Sequence, residues 1–573
     1  MWQYGRTERA AAVAAILAIA LAMHLSPGQG DQAHAARDGS IPPSPRSDIL
    51  STVPARASAA FVVNGLGATD AKLTRLFSSL GVPFSPYTLA KGWLEIVTGI
   101  DEHGPAAVVV VPHESSSSTS HGLALVLPTN NRDELLAFLN PQPLDDGFVK
   151  VTLRGRESFA ATMGGFTVLA ADLHTAKSVV GAEKHLADKL SELQAKKWAA
   201  ADVAMWIDPA AMKVEPPQAG TALSLRRLID EGPWLKRFGS LQLLGSLEPE
   251  GVSLSFYAER KSDHADKPRR ETERSLLSGL PDEPFVLAVG MTERATAESA
   301  RALCDGYASL LAAAGILQPE RSADLAQILD LGFRHVGTVA LSVSILPDDT
   351  SGSGLGLAKV LQVTTSDRMF LDHIDAVLRF LESEPFADPR VDQAMKRLQH
   401  RRAVETSLGV SIDHLLLDLT DLEVVDTEAV EAFVGNEGIL MRVGVVDDKH
   451  VVIALGGGLE RFNAIVSAVR AGRAPISSDA GAMKSARGVT RARSIEAYFS
   501  LARGVRLINA AYAAWNKPPP FPEVAETDAP IALAIHSGGP AATQLDFFVP
   551  TGLIVAVKNV IVDKAAGEAK LGR

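Results

Sequence analysis

Ala106-Ala-Val-Val-Val-Val-Pro112, then a Ser-rich connection from His113 to His121, then Gly122-Leu-Ala-Leu-Val-Leu-Pro128, are two short apolar runs around a polar tip. Runs of this length, rich in Val and Leu and bounded by Ser and Pro, read as strands. Their close succession makes them an antiparallel hairpin. The second half of the chain has the same device, with Val336 to Leu346 and Leu355 to Thr364 flanking Pro347-Asp-Asp-Thr-Ser-Gly-Ser-Gly354. Hairpins exclude an all-parallel, doubly wound sheet, because parallel neighbours need long crossovers.

The flanking elements repeat as well. In the first half a strand at Ala60 to Asn64 and a helix through Leu73, Leu76 and Leu80 precede the hairpin. Thr129-Asn130 then caps a helix, Arg132 to Leu139, with Leu135, Leu136 and Leu139 on one face. Next come a strand at Phe166 to Ala171, a helix from His174, a strand at Asp202 to Asp208 and a helix at Ala222 to Phe238. The closing hairpin is Leu241 to Leu247 and Val252 to Tyr257, around Glu248-Pro-Glu-Gly251.

The second half runs in parallel. It has a strand at Pro284 to Val289, helical sequence to Leu331, the hairpin, and a Thr365-Ser366 cap before a helix at Asp367 to Leu381. Val451 to Leu455 enters a helix at Leu459, and Ser494 to Ser500 aligns with Asp202 to Asp208. A helix at Val505 to Trp515, a hairpin of Ile531 to His536 with Gln544 to Val549, and a helix from Thr551 to Val562 complete it.

This order predicts an α+β fold: two divergent copies of a mainly antiparallel sheet, covered by helices on one face. Val203 should match Ile495, Trp206 should match Tyr498, and the hairpin at 106–128 should match that at 336–364. A one-residue slip would turn every core side chain outward, so register must be kept. The expected organisation is a signal peptide or N-terminal anchor at 1–35, a flexible linker at 36–50, a first repeat at 51–270 and a second at 271–573. The second carries an insertion around 387–448, where partner-specific features are expected.

Of 573 residues, 46% are hydrophobic and 21% charged, and the net charge is −11, which is globular composition too large for one core. Basic residues form no run longer than Arg269-Arg270 or Arg401-Arg402, so nucleic-acid binding is disfavoured. Arg6 and Arg9, the apolar stretch Ala10 to Met23 and the small residues of Ala33-His34-Ala35 have the three parts of a secretory signal. Cleavage is expected before Ala36. The chain is therefore expected in the periplasm or secreted, with no membrane span beyond a possible N-terminal anchor. Cys304 is the sole cysteine, so no internal disulfide forms, and a buried, inert thiol is expected.

The strand–hairpin–strand–capped-helix pattern, together with Ala201-Asp-Val-Ala-Met-Trp-Ile-Asp208, resembles a group of exported bacterial proteins of unknown function with large duplicated α/β chains. The resemblance implies export and architecture, and no catalytic residue.

Candidate chemistry is sparse. The 14 His include no His-x-x-x-His; His113 and His121 read as strand-end residues. Asp145-Asp146, Asp348-Asp349 and Asp447-Asp448 fit turns better than calcium sites. Gly352-Ser-Gly-Leu-Gly356 precedes a strand, the wrong context for a dinucleotide fingerprint, and Gly456-Gly-Gly458 reads as a tight strand-to-helix turn. His536-Ser-Gly-Gly539 reads as a hairpin turn. The acidic run Asp418, Asp421, Glu423, Asp426, Glu428 and Glu431 reads as a solvated strand face and a helix start. No residue is assigned as catalytic, cofactor-binding or metal-binding, and no cofactor is expected. The reading is an exported cell-envelope protein, a non-enzymatic binding or scaffold protein whose partner is an envelope protein or a small ligand. The alternatives are an exported hydrolase assembled only in three dimensions, or an apolar-ligand carrier.

Overall fold

The structure is a computed structural model and describes residues 49–560 apart from internal stretches, the longest being 113–120, 212–237, 261–271, 293–304, 347–353 and 419–438. The expected signal segment, Cys304, Asp348-Asp349, the Thr365-Ser366 cap and all of the acidic run after Asp418 lie outside the described residues.

The first half contains β1 (Ala59–Val63), α1 (Leu66–Ser79), α2 (Pro86–Leu94), β2 (Ala106–Pro112), β3 (His121–Pro128) and α3 (Arg132–Ala137). It continues with β4 (Gln142–Pro143), β5 (Val149–Leu153), β6 (Arg156–Met163), β7 (Phe166–Ala170), α4 (Leu173–Val180) and α5 (Glu192–Ala200). The strands β8 (Val203–Ile207), β9 (Phe238–Glu248) and β10 (Gly251–Arg260) close it. Phe238, expected to end a helix, begins a strand.

The second half contains β11 (Phe285–Met291), α6 (Ser322–Phe333), β12 (Val336–Leu346), β13 (Gly354–Val363), α7 (Asp367–Glu382) and α8 (Pro389–Met395). Then come β14 (Leu398–Ser407), β15 (Val410–Leu417), β16 (Ile439–Val445), β17 (His450–Leu455), α9 (Gly458–Arg470) and α10 (Ala480–Ala486). The elements β18 (Ile495–Phe499), α11 (Leu501–Ala514), β19 (Ile531–Gly539) and β20 (Ala542–Pro550) follow, with a last helical segment over 551–560.

These elements form two compact units. One takes the described residues of Ala35–Pro268 and Ser537–Val555, the other those of Arg269–His536 and Ala556–Arg573. The units are therefore not coextensive with the sequence copies, since β20 pairs with β10 from Gly251–Pro550 to Glu259–Ala542.

Strand order agrees between copies. The first unit runs β6-β7-β3-β2-β1-β8-β9 and the second β16-β17-β13-β12-β11-β18-β19, with antiparallel pairing throughout. Register agrees too. Phe61 stands opposite Val108 and Met205, as Val289 stands opposite Leu341 and Ala497. Val63 opposes Val203 as Met291 opposes Ile495, and the aromatic pair Trp206 and Tyr498 is 2% and 4% exposed. The region 387–448 carries α8 and the strands β14 to β16, with β16 in the place of β6.

Alternation places the first core. Ala60, Val62, Val109, Ala124, Val168 and Trp206 share a sheet face and pack with Ala176 and Val179 of α4 and Trp198 of α5. Over the edge strands a second helical layer lies on the opposite face, where Leu135 and Leu136 of α3 meet Leu127, Val151, Ala160 and Leu169. The α3 cap is Asn131, whose side chain accepts from the Glu134 N–H, rather than Thr129 or Asn130. Thr129 instead bonds the Leu127 carbonyl and the Thr167 hydroxyl. In the second unit Leu341, Leu361, Ile453 and Met441 pack with Ile374 and Leu378 of α7 and with Trp515. No described helix is long and apolar enough to cross a membrane.

Candidate binding surface

Ala106-Ala-Val-Val-Val-Val has no polar alternation, which is the pattern of a strand with apolar groups on both faces. In the first unit one of those faces is well covered, and the other is covered by α3 only toward the edge strands, where Leu125 packs and Leu169 is buried. On this second face, Leu125, Val108, Phe61, Met205, Leu243, Phe256 and Leu545 stand in one row across seven adjacent strands. Leu254 and Phe547 continue the apolar character in the next row, and Phe256 meets Phe547 edge-on at 6.5 Å. Phe61 is 42% exposed, Phe256 43% and Leu123, on the same face, 54%.

The equivalent row of the second unit is Ile453, Lys359, Leu341, Val289, Ala497 and Leu533. There Leu341 and Ile453 are buried in the cluster that holds α7 and Trp515, and Gly504 of α11 lies against the Phe499 ring. Lys359, in the place of Leu125, is fully buried, and that burial pushes its ammonium well below the usual lysine range. In both copies the row is buried at one end, at Leu169 and at Ile453, Lys359 and Leu341, and half-buried further along, at Val108 and Met205 as at Val289 and Ala497. The first copy differs in the exposed aromatic rings of Phe61 and Phe256.

Behind this surface, the buried side of β9, β10 and β20 is polar. The Trp198 indole N–H donates to Gln242 at 2.9 Å, and Lys197 donates to Gln544 at 2.9 Å. Gln544 and Ser255 both donate to Asp546 Oδ1, at 2.7 and 2.6 Å. Tyr257 lies beneath Lys197, and burial followed by the Asp546 charge pushes its phenol far above the usual range. These strands therefore carry their polar set inward, where hydrogen bonds satisfy it, and their apolar set outward.

A second polar group sits on β14 to β16. His400, its side chain 5% exposed, has Nε2 2.9 Å from Asp413 and Nδ1 3.4 Å from Asp375 of α7. Arg402 donates to Asp375, and the Ala403 N–H, at a left-handed φ of 51°, donates to Asp413. On the other face His414 Nε2 lies 2.5 Å from Glu405, which also accepts from Arg442 at 3.1 Å. Neither imidazole has a hydroxyl or thiol within hydrogen-bond distance among the described residues. With both ring nitrogens facing carboxylates, His400 has no free nitrogen to act as a base toward a nucleophile. The group ties α7 to the edge strands.

The other sequence candidates fall where backbone geometry explains them. Asp146 adopts a left-handed φ of 64° in the 145–147 turn. Asp447 accepts the Lys449 and His450 N–H groups and the His450 ring; burial raises its carboxyl, but these bonds hold it below its ordinary value. Gly456 and Gly457 have φ of 73° and 71°, and a Cβ on Gly457 would come 2.6 Å from Arg461 Cδ. Gly354 and Gly356 lie in β13, and Ser537 to Gly539 end β19. Among the described residues no group of three or more His, Cys, Asp or Glu could hold a metal ion. The His400 and His414 pairs were not legible in the sequence, because their partners come from another helix and from across a bulged hairpin.

No protein-family model matches the chain, and no curated protein sequence does. Among solved structures it is similar to crystal form IV of TP0453, at 10% identity and a TM-score of 0.23, covering 37% of this chain and 79% of that one. For crystal form I of TP0453 the values are 8%, 0.20, 38% and 79%. Similarity at this level carries no argument about the fold or activity of this chain.

Proposed function

We propose that this is an exported, non-enzymatic binding protein that recognises an envelope protein through the half-open apolar sheet face of its first unit. The observation that carries the reading is the Leu125-to-Leu545 row, in which Phe61 and Phe256 are 42% and 43% exposed and Val108, Met205, Leu243 and Leu545 are half-buried. Seven strands at ~4.8 Å spacing span roughly 29 Å. A face that broad suits a protein surface better than a single acyl chain or other small ligand, and open apolar surface of this kind marks interaction sites. The hydrolase reading draws no support from the His400 and His414 groups. Export rests on the charged, apolar and small-residue order of residues 1–35.

The test is a photo-crosslinking residue placed at Phe61 or at Phe256 in the exporting cell, with the 62%-exposed Leu193 as control. A discrete intermolecular product from both face positions and not from the control is expected, and Met205→Glu should abolish it. No product, or only an intramolecular product with residues 212–237, would overturn the reading by making the face an internal seam.

A further inference from the structure

Between α11 and β19 the chain reads Lys517-Pro-Pro-Pro-Phe-Pro-Glu523. Every residue from Lys517 to Pro522 is a proline or precedes one. Proline holds φ near −65°, and a following proline drives its predecessor into extended or polyproline backbone, so the segment has few conformations to lose. The chain here is neither helix nor strand over 517–519 and bends at Pro520–Phe521, with Pro518 to Glu523 all exposed. Phe521, at the bend, is 48% exposed.

The loop is also held from below. Asn509 of α11 donates through Nδ2 to the Phe521 carbonyl at 2.9 Å, and its Oδ1 accepts the Phe521 N–H at 3.4 Å. Glu526 accepts from Arg503 at 2.8 Å and from Arg506. Burial raises the Glu526 carboxyl, but the hydrogen bonds and charges of the two arginines together leave it below its ordinary value. Arg503 in turn stacks over Phe285 and reaches its carbonyl, which anchors the clamp to β11. A connector needs only to be short or stiff. Fixing the backbone of an exposed aromatic on both its N–H and its carbonyl serves presentation.

We infer that this loop is a preformed recognition element, independent of the sheet face above, whose partner is a protein with an aromatic-lined groove of the kind that accepts polyproline segments. Prolines would stack in the groove and Phe521 would enter its end. Because the ordering cost is met within the fold, the full chain should bind more tightly than a loose peptide of the same sequence.

The experiment titrates the full chain into labelled SH3, WW and EVH1 domains, three groove types of this chemistry. At least one should bind saturably. The double variant Pro519→Ala/Pro520→Ala and the single variant Phe521→Ala should each weaken it at least tenfold at unchanged melting temperature. Asn509→Ala, which frees the loop without altering its sequence, should weaken it several-fold. Absence of saturable binding to all three domains, or equal binding by wild type and the loop variants, would overturn the inference. Neither result bears on crosslinking at Phe61.

Discussion

Glu496, 1% exposed on β18, accepts the Ser275 hydroxyl and the Leu276 N–H and pairs with Arg493. Burial nevertheless wins: it raises the carboxyl above the ordinary 4.5, against the opposing pull of Arg493 and those bonds. Beside it Tyr498 is pushed up to about 12, by burial first and then by the Glu496 charge. A carboxyl raised in the folded state contributes stability that is complete below its unfolded value and is lost as pH rises through the folded one. Glu496→Gln should therefore gain on the wild type as pH rises from 4 to 7. The check is a melting series across that range, and a difference that stays flat or shrinks would refute it. The aromatic pair supplies a second test at this scale. Trp206→Ala and Tyr498→Ala, at equivalent buried positions, should each cost about 3–5 kcal/mol by denaturant unfolding, through cavity formation. A small cost at either position would mean that the two copies do not share a core register there.

Capping decides where elements begin. Asn131 bonds the Glu134 N–H at 3.2 Å and also donates to the Glu134 carboxylate. Asn131→Ala should thus cost about 1 kcal/mol, and Asn130→Ala close to nothing. The strand-to-helix turn at 456–458 is more demanding. Gly457→Ala would need a left-handed backbone and would drive a Cβ into Arg461, whose guanidinium bonds Glu283 and the Leu357 and Leu455 carbonyls. A cost of about 1–3 kcal/mol is expected, read as a fall in denaturant midpoint. Much at this scale was legible in sequence: β2 and β12 fall on the expected residues, and β18, α7 and α9 begin within a residue of expectation. The strands β5, β6 and β14 to β16 were not. The clearest case is β14, Leu398-Gln-His-Arg-Arg-Ala-Val-Glu-Thr-Ser407, which is polar and lies outside β15 at the margin of the sheet. Edge strands carry little of the apolar periodicity from which strands are read.

For the whole molecule, the single cysteine leaves no internal disulfide, and stability is expected to come from apolar burial in the cores of the two units. Chelator and reductant should leave the melting temperature unchanged; a drop of many degrees with chelator would reveal ligands brought together from distant segments. On export, N-terminal sequencing of the mature chain should begin near Ala36, and a full-length chain recovered from the cytosol would sink that expectation. The sequence alone determined the α+β class, the antiparallel pairing, the repeated element order and the register of Val203 with Ile495. Each of these follows from local periodicity and turn chemistry, which neighbouring residues carry. Only the tertiary structure decided which of two equally apolar faces of β1, β2 and β8 is buried. Alternation separates one face from the other but does not say what packs against either. It likewise decided that β20 closes the first unit, and that His400 meets Asp375 and Asp413. Both depend on strands and helices far apart in the chain, and no spacing along a single segment records such a meeting.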